Sequence, residues 1–225
     1  MYIYMKDSIH FNASVVSAIT EVVATHPIDY VKTVMQNNSK NLKYDEIKSL
    51  LKTPYKGVSS RLIGIVPMRV LFWNSLEHFK NKGFNPYHAA IFTSLIQTTV
   101  DYPIEQIKTQ KIINDCSSLQ SFNNVKIIQA ISTHLIRNIG FAVCVNGMIQ
   151  KDPDSFYYGA VGGFLGSVIT HPFDSLKTWY QSGNKNYPSH WKFNNYMKGW
   201  NYRCGVSLIS MNIGWIIYHR LKGKL

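Results

Sequence analysis

Three copies of one short pattern decide the architecture of this chain: His26-Pro27-Ile28-Asp29-Tyr30-Val31-Lys32, Tyr102-Pro103-Ile104-Glu105-Gln106-Ile107-Lys108 and His171-Pro172-Phe173-Asp174-Ser175-Leu176-Lys177. Each copy reads Pro-x-acid-x-x-Lys, and the copies recur at intervals of about 70 residues. A pattern that recurs at a long, regular spacing indicates a fold built from similar units. The sequence therefore predicts one domain, residues 1–225, made of three repeats at approximately 9–84, 85–153 and 154–225.

The bulk composition favours a membrane protein with a polar interior. The 225 residues have a formal net charge of +12, yet only 16% are charged and 45% are hydrophobic. A basic balance suits an anionic partner. The mean hydropathy of −0.11 argues against a simple lipid-facing bundle, whereas a bundle around a wet, polar interior reconciles these numbers. Three cysteines without a CxxC spacing fit a reducing compartment better than a disulfide framework.

Two helices are expected in each repeat. The predicted stretches are Phe11–Gln36, Val58–Lys80, Tyr87–Ile112, Ile127–Gln150, Tyr157–Gln181 and Gly199–Lys222. Each has the roughly 20 residues that a helix needs to cross a bilayer. Charged residues inside them are costly in lipid and are expected to face a protein interior or an aqueous cavity. We therefore predict an all-α fold of six transmembrane helices in a pseudo-three-fold barrel, with a soluble all-helical protein as the alternative.

The first helix of each repeat contains the proline of the pattern. Pro27, Pro103 and Pro172 remove backbone donors and are expected to kink these helices. The acid and the lysine that follow each proline are three residues apart and so lie near one helix face. In the fifth stretch, four small residues predict a close approach to neighbouring helices. These residues are Gly159, Gly162, Gly163 and Gly166.

The chain resembles the mitochondrial carrier family. The resemblance rests on the three Pro-x-acid-x-x-Lys copies, on Tyr55-Lys56-Gly57 and Met197-Lys198-Gly199, and on a further helix after each polar loop, and it covers essentially the whole chain. It implies a monomeric, multi-pass protein of the mitochondrial inner membrane that needs no cofactor and contacts lipids, including cardiolipin. Lys56 and Lys198 are candidates for headgroup contacts, with ordinary loop ends as the alternative.

The chain is shorter than typical members of the family. Its loops are trimmed, so the short helices on the matrix side are expected to be reduced. Asn, Lys and Ile are abundant, as in products of AT-rich genomes. A parasite, or a large DNA virus that captured a host carrier and targets host mitochondria, would account for both features.

The resemblance implies two gates. On the matrix side, the acid of one repeat is expected to pair with the lysine of another, giving Asp29–Lys108, Glu105–Lys177 and Asp174–Lys32. Gln36 and Gln181 are expected to brace two of these pairs, while Ile112 replaces the third brace. On the cytoplasmic side, the aligned positions hold Glu77, Gln150 and His219, with Lys80 nearby, which predicts a weaker closure.

Four basic residues are candidates for substrate binding. Aligning the second helices of the repeats places Arg61, His134 and Arg203 at one level and Arg137 one turn further, beside Gly64 and Val206. Arginine suits carboxylate and phosphate oxygens. The alternative for each arginine is an interhelix ion pair or a carbonyl contact, and His134 has a structural alternative too.

Two substrate classes compete. Several cations spread over three helices favour a polyanion, so the sequence favours exchange of nucleoside or deoxynucleoside di- and triphosphates by alternating access. The pair Arg137-Asn138 resembles instead the contact of carboxylate and keto-acid carriers. A structural or proton-leak member of the family is a further alternative.

Other function classes lack support in the sequence. Nucleic-acid binding has no basic run or recognition motif behind it. An enzyme is not expected, because the sequence has no nucleophile–base arrangement, no Gly-rich phosphate loop and no metal-ligand spacing.

Overall fold

Each Pro-x-acid-x-x-Lys copy lies in a helix of the computed structural model, which describes residues 2–37, 43–115, 122, 126–151, 156–183 and 193–222. The helices are α1 (Tyr2–Asn37), α2 (Tyr44–Leu50), α3 (Val58–Asn81), α4 (Pro86–Ile113), α5 (Ile127–Ile149), α6 (Phe156–Ile169), α7 (His171–Ser182), α8 (Phe193–Tyr196) and α9 (Trp200–Lys222). The described residues contain no strand, so the all-α prediction is confirmed for this part of the chain. The helices of the polar loops, α2 and α8, are short, in line with the trimmed loops.

The fifth predicted stretch is two helices. α6 ends at Ile169 and α7 begins at His171, with Thr170 between them. Pro172 lies in the first turn of α7, where its missing N–H has no helical partner to lose. The Thr170 hydroxyl donates to the Gly166 carbonyl at 2.6 Å and so satisfies an acceptor at the end of α6. Pro27 and Pro103, in contrast, lie inside the continuous helices α1 and α4.

The long helices form a closed ring. α3 packs against α4, α4 against α5, α5 against α6 and α7, and α6 against α9. α9 returns to α1, and α1 also contacts α3. The three helices that carry the repeated pattern, α1, α4 and α7, contact one another. The charged residues of the pattern are therefore brought together inside the ring.

The glycines of α6 let two neighbouring helices come close. A Cβ on Gly162 would lie 3.0 Å from the Val145 Cα of α5, and one on Gly163 would lie 2.9 Å from the Ser207 Oγ of α9. Gly166 also faces α5, whereas a Cβ on Gly159 would meet nothing within 4 Å. Three of the four predicted small-residue contacts thus hold α6 between its neighbours.

Among the described residues, several charged side chains are buried while many large apolar side chains are exposed. Large apolar side chains such as Ile63, Ile128 and Ile169 are exposed, whereas charged side chains such as Glu105 and Lys177 are buried. Lysine and glutamate are almost never fully buried in soluble proteins unless they are paired. An apolar exterior around a polar interior is the arrangement that lipid requires. This distribution argues against the soluble alternative.

One helix of the described residues, Ile127–Ile149, is both long enough and apolar enough to cross a membrane by composition, and Tyr157–Ile169 is a shorter apolar helix. The other long helices contain too many polar residues to be identified as membrane spans by length and composition. These groups include the interior charges described below.

Candidate functional site

Six buried charges meet where α1, α4 and α7 converge. The shortest contacts between repeats join Asp29 to Lys108 at 2.5 Å, Glu105 to Lys177 at 2.8 Å and Asp174 to Lys32 at 3.0 Å. These are the three pairs that the sequence analysis expects. Their side chains are 3–12% exposed, so the charges have little access to solvent and depend on one another for compensation.

The six charges form an unbroken cycle. Within each repeat the acid and the lysine also face each other, as Asp29–Lys32 at 3.1 Å, Glu105–Lys108 at 3.2 Å and Asp174–Lys177 at 3.9 Å. Each acid therefore lies between two lysines and each lysine between two acids. We call these six residues the charge ring. Its formal charges sum to zero, and it ties the three helices together at one end of the barrel.

Gln36 braces one pair of the charge ring, but Gln181 does not brace another. The Gln36 amide donates to Asp174 Oδ2 at 3.0 Å, and its oxygen accepts from Thr178 at 2.8 Å. Gln181 accepts from Thr109 at 3.2 Å, while its buried Nε2 has no hydrogen-bond partner among the described residues. The structure therefore departs from the expected brace at Gln181. The Glu105 carboxylate is already contacted by three cations, which leaves Gln181 with the neutral threonine.

Arg61 and Arg203 lie against the carboxylates of the charge ring. Arg61 forms an ion pair with Glu105. Arg203 donates to the Thr170 carbonyl at 3.0 Å and to the Thr170 hydroxyl at 2.6 Å, and its Nη1 lies 3.7 Å from Asp174. Both arginines thus make the interhelix contacts that were the alternative to substrate binding. Their charges reinforce the ring from the side of α3 and α9.

Arg137 has looser charged contacts. Its Nε lies 3.7 Å from Asp174 Oδ1 and its Nη2 lies 3.9 Å from Asp101 Oδ2, both longer than a hydrogen bond. Its Nη2 lies 3.1 Å from His134 Nε2, and its Nε has no hydrogen-bond partner among the described residues. The side chain is 20% exposed. Arg137 is therefore held near the ring by weak contacts and retains donors for a ligand.

Asp101 is a site residue that the sequence analysis missed. Its Oδ2 lies 2.9 Å from His134 Nε2, and both side chains are buried. The available signal was the position of an acid inside a predicted membrane helix, two residues before Pro103, where the first and third repeats have Thr25 and Thr170. His134 is thus the partner of a carboxylate and a neighbour of Arg137.

The chain matches the family model described as mitochondrial carrier protein over residues 6–87. It is 23% identical to the probable mitochondrial 2-oxodicarboxylate carrier of Schizosaccharomyces pombe over 222 residues, covering 76% of this chain and 73% of that protein. It is 22% identical to human mitoferrin-1 over 215 residues, covering 76% of this chain and 64% of mitoferrin-1. The match and both relatives place the resemblance of the chain in the mitochondrial carrier family. The resemblance found in the repeated motifs is confirmed.

Members of the family that the chain resembles are transporters and not enzymes, so the expectation that the chain is not an enzyme is confirmed as well. The short length of the chain is consistent with divergence within the family. Its substrate does not follow from this resemblance.

Each proline of the carrier pattern follows a residue that contacts another element. His26 Nε2 lies 3.1 Å from the Lys56 carbonyl, and His171 Nε2 lies 2.9 Å from the Lys198 carbonyl. Gly57 and Gly199 follow these lysines with φ of +82° and +76°, which explains the glycine of the motif. Helix kinks at Pro27 and Pro103 remain predictions, since both residues lie in uninterrupted helices.

The expected cytoplasmic gate stays untested. Glu77 and Lys80 lie near the end of α3, where Lys80 is exposed. The side chains of Glu77 and His219 lie outside the described part of the structure. The third aligned position, Gln150, is an exposed C-cap of α5.

Proposed function

We propose that this carrier moves a small dicarboxylate anion of the 2-oxo acid class across the mitochondrial inner membrane by alternating access. Arg137 carries the proposal. Its contacts to carboxylates are 3.7 and 3.9 Å long and its Nε has no hydrogen-bond partner among the described residues, whereas Arg61 pairs with Glu105 and Arg203 donates to both oxygens of Thr170. A guanidinium binds a carboxylate through two parallel hydrogen bonds and keeps its charge at any physiological pH.

Asn138 supports Arg137 by fixing α5 against α4. Its side-chain amide donates to Thr98 Oγ1 at 2.9 Å, and both residues are buried. This contact sets the position of the α5 turn from which Arg137 extends. A small anion needs few but well-placed donors, and a rigid support for them favours specificity.

A dicarboxylate substrate also agrees with the comparison. The relative from S. pombe is named as a 2-oxodicarboxylate carrier and aligns with most of this chain. The Arg137-Asn138 pair was the feature of the sequence that resembled carboxylate carriers. Both observations support the same class.

Nucleotides were the class that the sequence favoured, because Arg61 and Arg203 exceeded the needs of one small carboxylate. Arg61 pairs with Glu105, and Arg203 contacts Thr170 and Asp174. Two of the cations that favoured a polyanionic substrate are therefore already engaged by groups of the protein. A nucleotide is therefore one of the solutes offered in the uptake experiment below.

The charge ring is proposed to be the matrix gate. It lies where α1, α4 and α7 meet, so separating these helices requires breaking the three pairs between repeats. Breaking a buried pair outright costs several kcal/mol, but a charge that becomes solvated as the helices part loses much less. The binding energy of the substrate can then drive opening. The ring is complete within one chain, which fits a monomer. Glu77 and Lys80 are proposed to close the opposite end, and lipids to cover the apolar exterior.

The test is uptake into liposomes that contain the purified carrier. Three labelled solutes are offered separately: a 2-oxodicarboxylate, a nucleoside diphosphate, and ferrous iron, because the name of mitoferrin-1 points to iron. We expect saturable uptake of the dicarboxylate, lost in Arg137→Ala and retained in Lys52→Ala, which removes one exposed positive charge far from the charge ring in sequence. Uptake of the nucleotide or of iron without uptake of the dicarboxylate would overturn the proposal.

A further inference from the structure

Asp101 and His134 take the places in the second repeat that Thr170 and Arg203 take in the third. Asp101 and Thr170 each lie two residues before the proline of the pattern, and His134 and Arg203 share one level in the aligned second helices. Arg203 Nη2 donates to Thr170 Oγ1 at 2.6 Å, and His134 Nε2 lies 2.9 Å from Asp101 Oδ2. One interhelix contact is thus made by a pair of fixed charge in the third repeat and by a titratable pair in the second.

The Nε2 atom of His134 lies near one hydrogen-bond acceptor and one hydrogen-bond donor. It lies 2.9 Å from the Asp101 carboxylate, which accepts a hydrogen bond, and 3.1 Å from Arg137 Nη2, which donates one. With a proton on Nε2, the imidazole donates to Asp101, and Nε2 has no lone pair to accept a hydrogen bond from Arg137. Without that proton, Nε2 accepts from Arg137 and presents a lone pair to the carboxylate. Nε2 therefore cannot form hydrogen bonds to both Asp101 and Arg137 in one protonation state.

The surroundings of His134 are charged on several sides. From α4 it faces Asp101, the ring of Tyr102 at 6.2 Å between centroids, and Glu105 behind Asp101. From its own helix it faces Arg137, and from α7 it lies in the field of Lys177. Arg61 of α3 also interacts electrostatically with Asp101. Arg137 and Lys177 thus contribute two positive charges to the surroundings of the imidazole.

An anion at Arg137 would change this balance. Arg137 would turn its Nη2 from His134 to the ligand, which frees Nε2 to donate to Asp101. The negative charge of the ligand would also offset Arg137 and Lys177, so a second proton on the ring becomes acceptable. His134 Nδ1 is buried and has no hydrogen-bond partner among the described residues, so it is available to such a proton.

We propose that Asp101 and His134 form a proton-binding site, and that the carrier binds and carries one proton with each anion. The proposal rests on the proposed function, because the anion is the one bound by Arg137. The proton enters from water on the side to which the barrel is open, adds to the ring nitrogen that lacks a hydrogen, and returns to water after the barrel opens on the other side. No other bond forms or breaks.

The coupling must be reciprocal, and so it can be measured by binding alone. If the anion raises the affinity for a proton, then protons raise the affinity for the anion by the same factor. With one coupled proton, the affinity of the anion falls by up to about tenfold for each unit of rising pH, within a window around the usual imidazole pKa of about 6.5. Proton uptake appears as a difference between binding heats measured in two buffers of unlike ionisation enthalpy.

The experiment is calorimetric titration of the detergent-purified carrier with a 2-oxodicarboxylate at several pH values between about 5.5 and 8, in each buffer. We expect the wild type to take up a proton, with a maximum approaching one per anion. The double variant Asp101→Thr with His134→Arg copies the Thr170–Arg203 pair, and it should bind the anion with no proton uptake. His134→Gln, which retains a donor towards Asp101, serves the same purpose if the double variant does not fold.

The outcomes separate the two proposals. Wild-type binding without proton uptake would overturn the proton site and leave the dicarboxylate function standing. Proton uptake that persists in both His134 variants would also overturn it, because the proton would then lie elsewhere. Absence of binding by the wild type would refute the proposed function and this inference together.

Discussion

The second repeat keeps the acid and the lysine of the pattern but differs from the third in almost everything around them. The third repeat contains Thr170 with Arg203, a pair that holds one fixed positive charge. The second contains Asp101 with His134, a pair whose charge depends on protonation. The same interhelix contact is thus made by a fixed charge in one repeat and by a titratable pair in the other.

A second difference concerns the start of the helix after the polar loop. In the third repeat, His171 contacts the Lys198 carbonyl and the chain turns at Gly199 with φ of +76°. In the second repeat, Tyr102 replaces that histidine and Ala130 stands at the aligned glycine position, three residues inside α5. The turn is therefore absent there and the helix starts earlier. The third repeat has a braced helix start, whereas the helix of the second repeat starts earlier in the aligned frame and lacks that brace.

The largest effects are expected where the two repeats agree, in the charge ring. Glu105→Gln should leave Lys108, Lys177 and Arg61 without their shared counter-charge, and Asp174→Asn should do the same to the cations of its own site. Removing one partner of a buried ion pair costs about 3–5 kcal/mol. Both variants should unfold at lower temperature in detergent and transport at least tenfold less.

The control for this prediction keeps the charge. Glu105→Asp shortens the side chain by one methylene and should lose less stability than Glu105→Gln, as judged by thermal unfolding. Wild-type stability in Glu105→Gln would show that the second repeat does not depend on its acid, and the ring would then not be one unit.

The glutamine braces should produce a smaller and unequal effect. Gln36→Ala removes a hydrogen bond to the ionised Asp174, and such bonds contribute about 1.5–3 kcal/mol. Gln181→Ala removes a bond to the neutral Thr109, for which about 0.5–1.5 kcal/mol is expected. Thermal unfolding of the two variants, compared side by side, should therefore rank Gln36→Ala as the more damaging. Equal losses would mean that Gln181 does brace the Lys177–Glu105 pair.

The smallest effects are expected at the residues before the prolines. His171→Phe loses the contact to the Lys198 carbonyl, for which about 0.5–1.5 kcal/mol is expected. Tyr102→Phe removes a buried hydroxyl that has no hydrogen-bond partner among the described residues, so its stability should stay close to that of the wild type. A marked loss in Tyr102→Phe, measured by unfolding in detergent, would reveal a partner for this hydroxyl.

The helices and the ring follow from the sequence because both depend on local rules repeated three times. Acid and lysine three residues apart lie on one face of a helix, and three such helices in a closed ring must bring their charges together. Kinks were expected at all three prolines, and the structure shows a break between two helices at Thr170, before Pro172. Proline disrupts a helix by an amount that depends on what satisfies the freed carbonyls, and the first two prolines lie in continuous helices.

The roles of the arginines followed less directly. Level along the barrel can be read from an alignment of repeats, but the direction of a long side chain cannot. Arg61, Arg137 and Arg203 all lie near the ring acids, and they differ in their other contacts. Arg61 pairs with Glu105 and Arg203 donates to Thr170, whereas the Arg137 Nε has no hydrogen-bond partner among the described residues. Asp101 was missed because it lies just outside the repeated pattern, at a position where the other repeats have threonine.

The central claim is that Arg137 binds the anion while Arg61 and Arg203 hold the ring. Ligand-induced stabilisation tests it directly, since a ligand that binds only the folded state raises the unfolding temperature. We measure thermal unfolding of the wild type and of the three arginine-to-alanine variants in detergent, with and without a saturating 2-oxodicarboxylate. Arg61→Ala and Arg203→Ala should unfold earlier but still gain stability from the ligand, whereas Arg137→Ala should gain none. A gain in Arg137→Ala equal to that of the wild type would contradict the account.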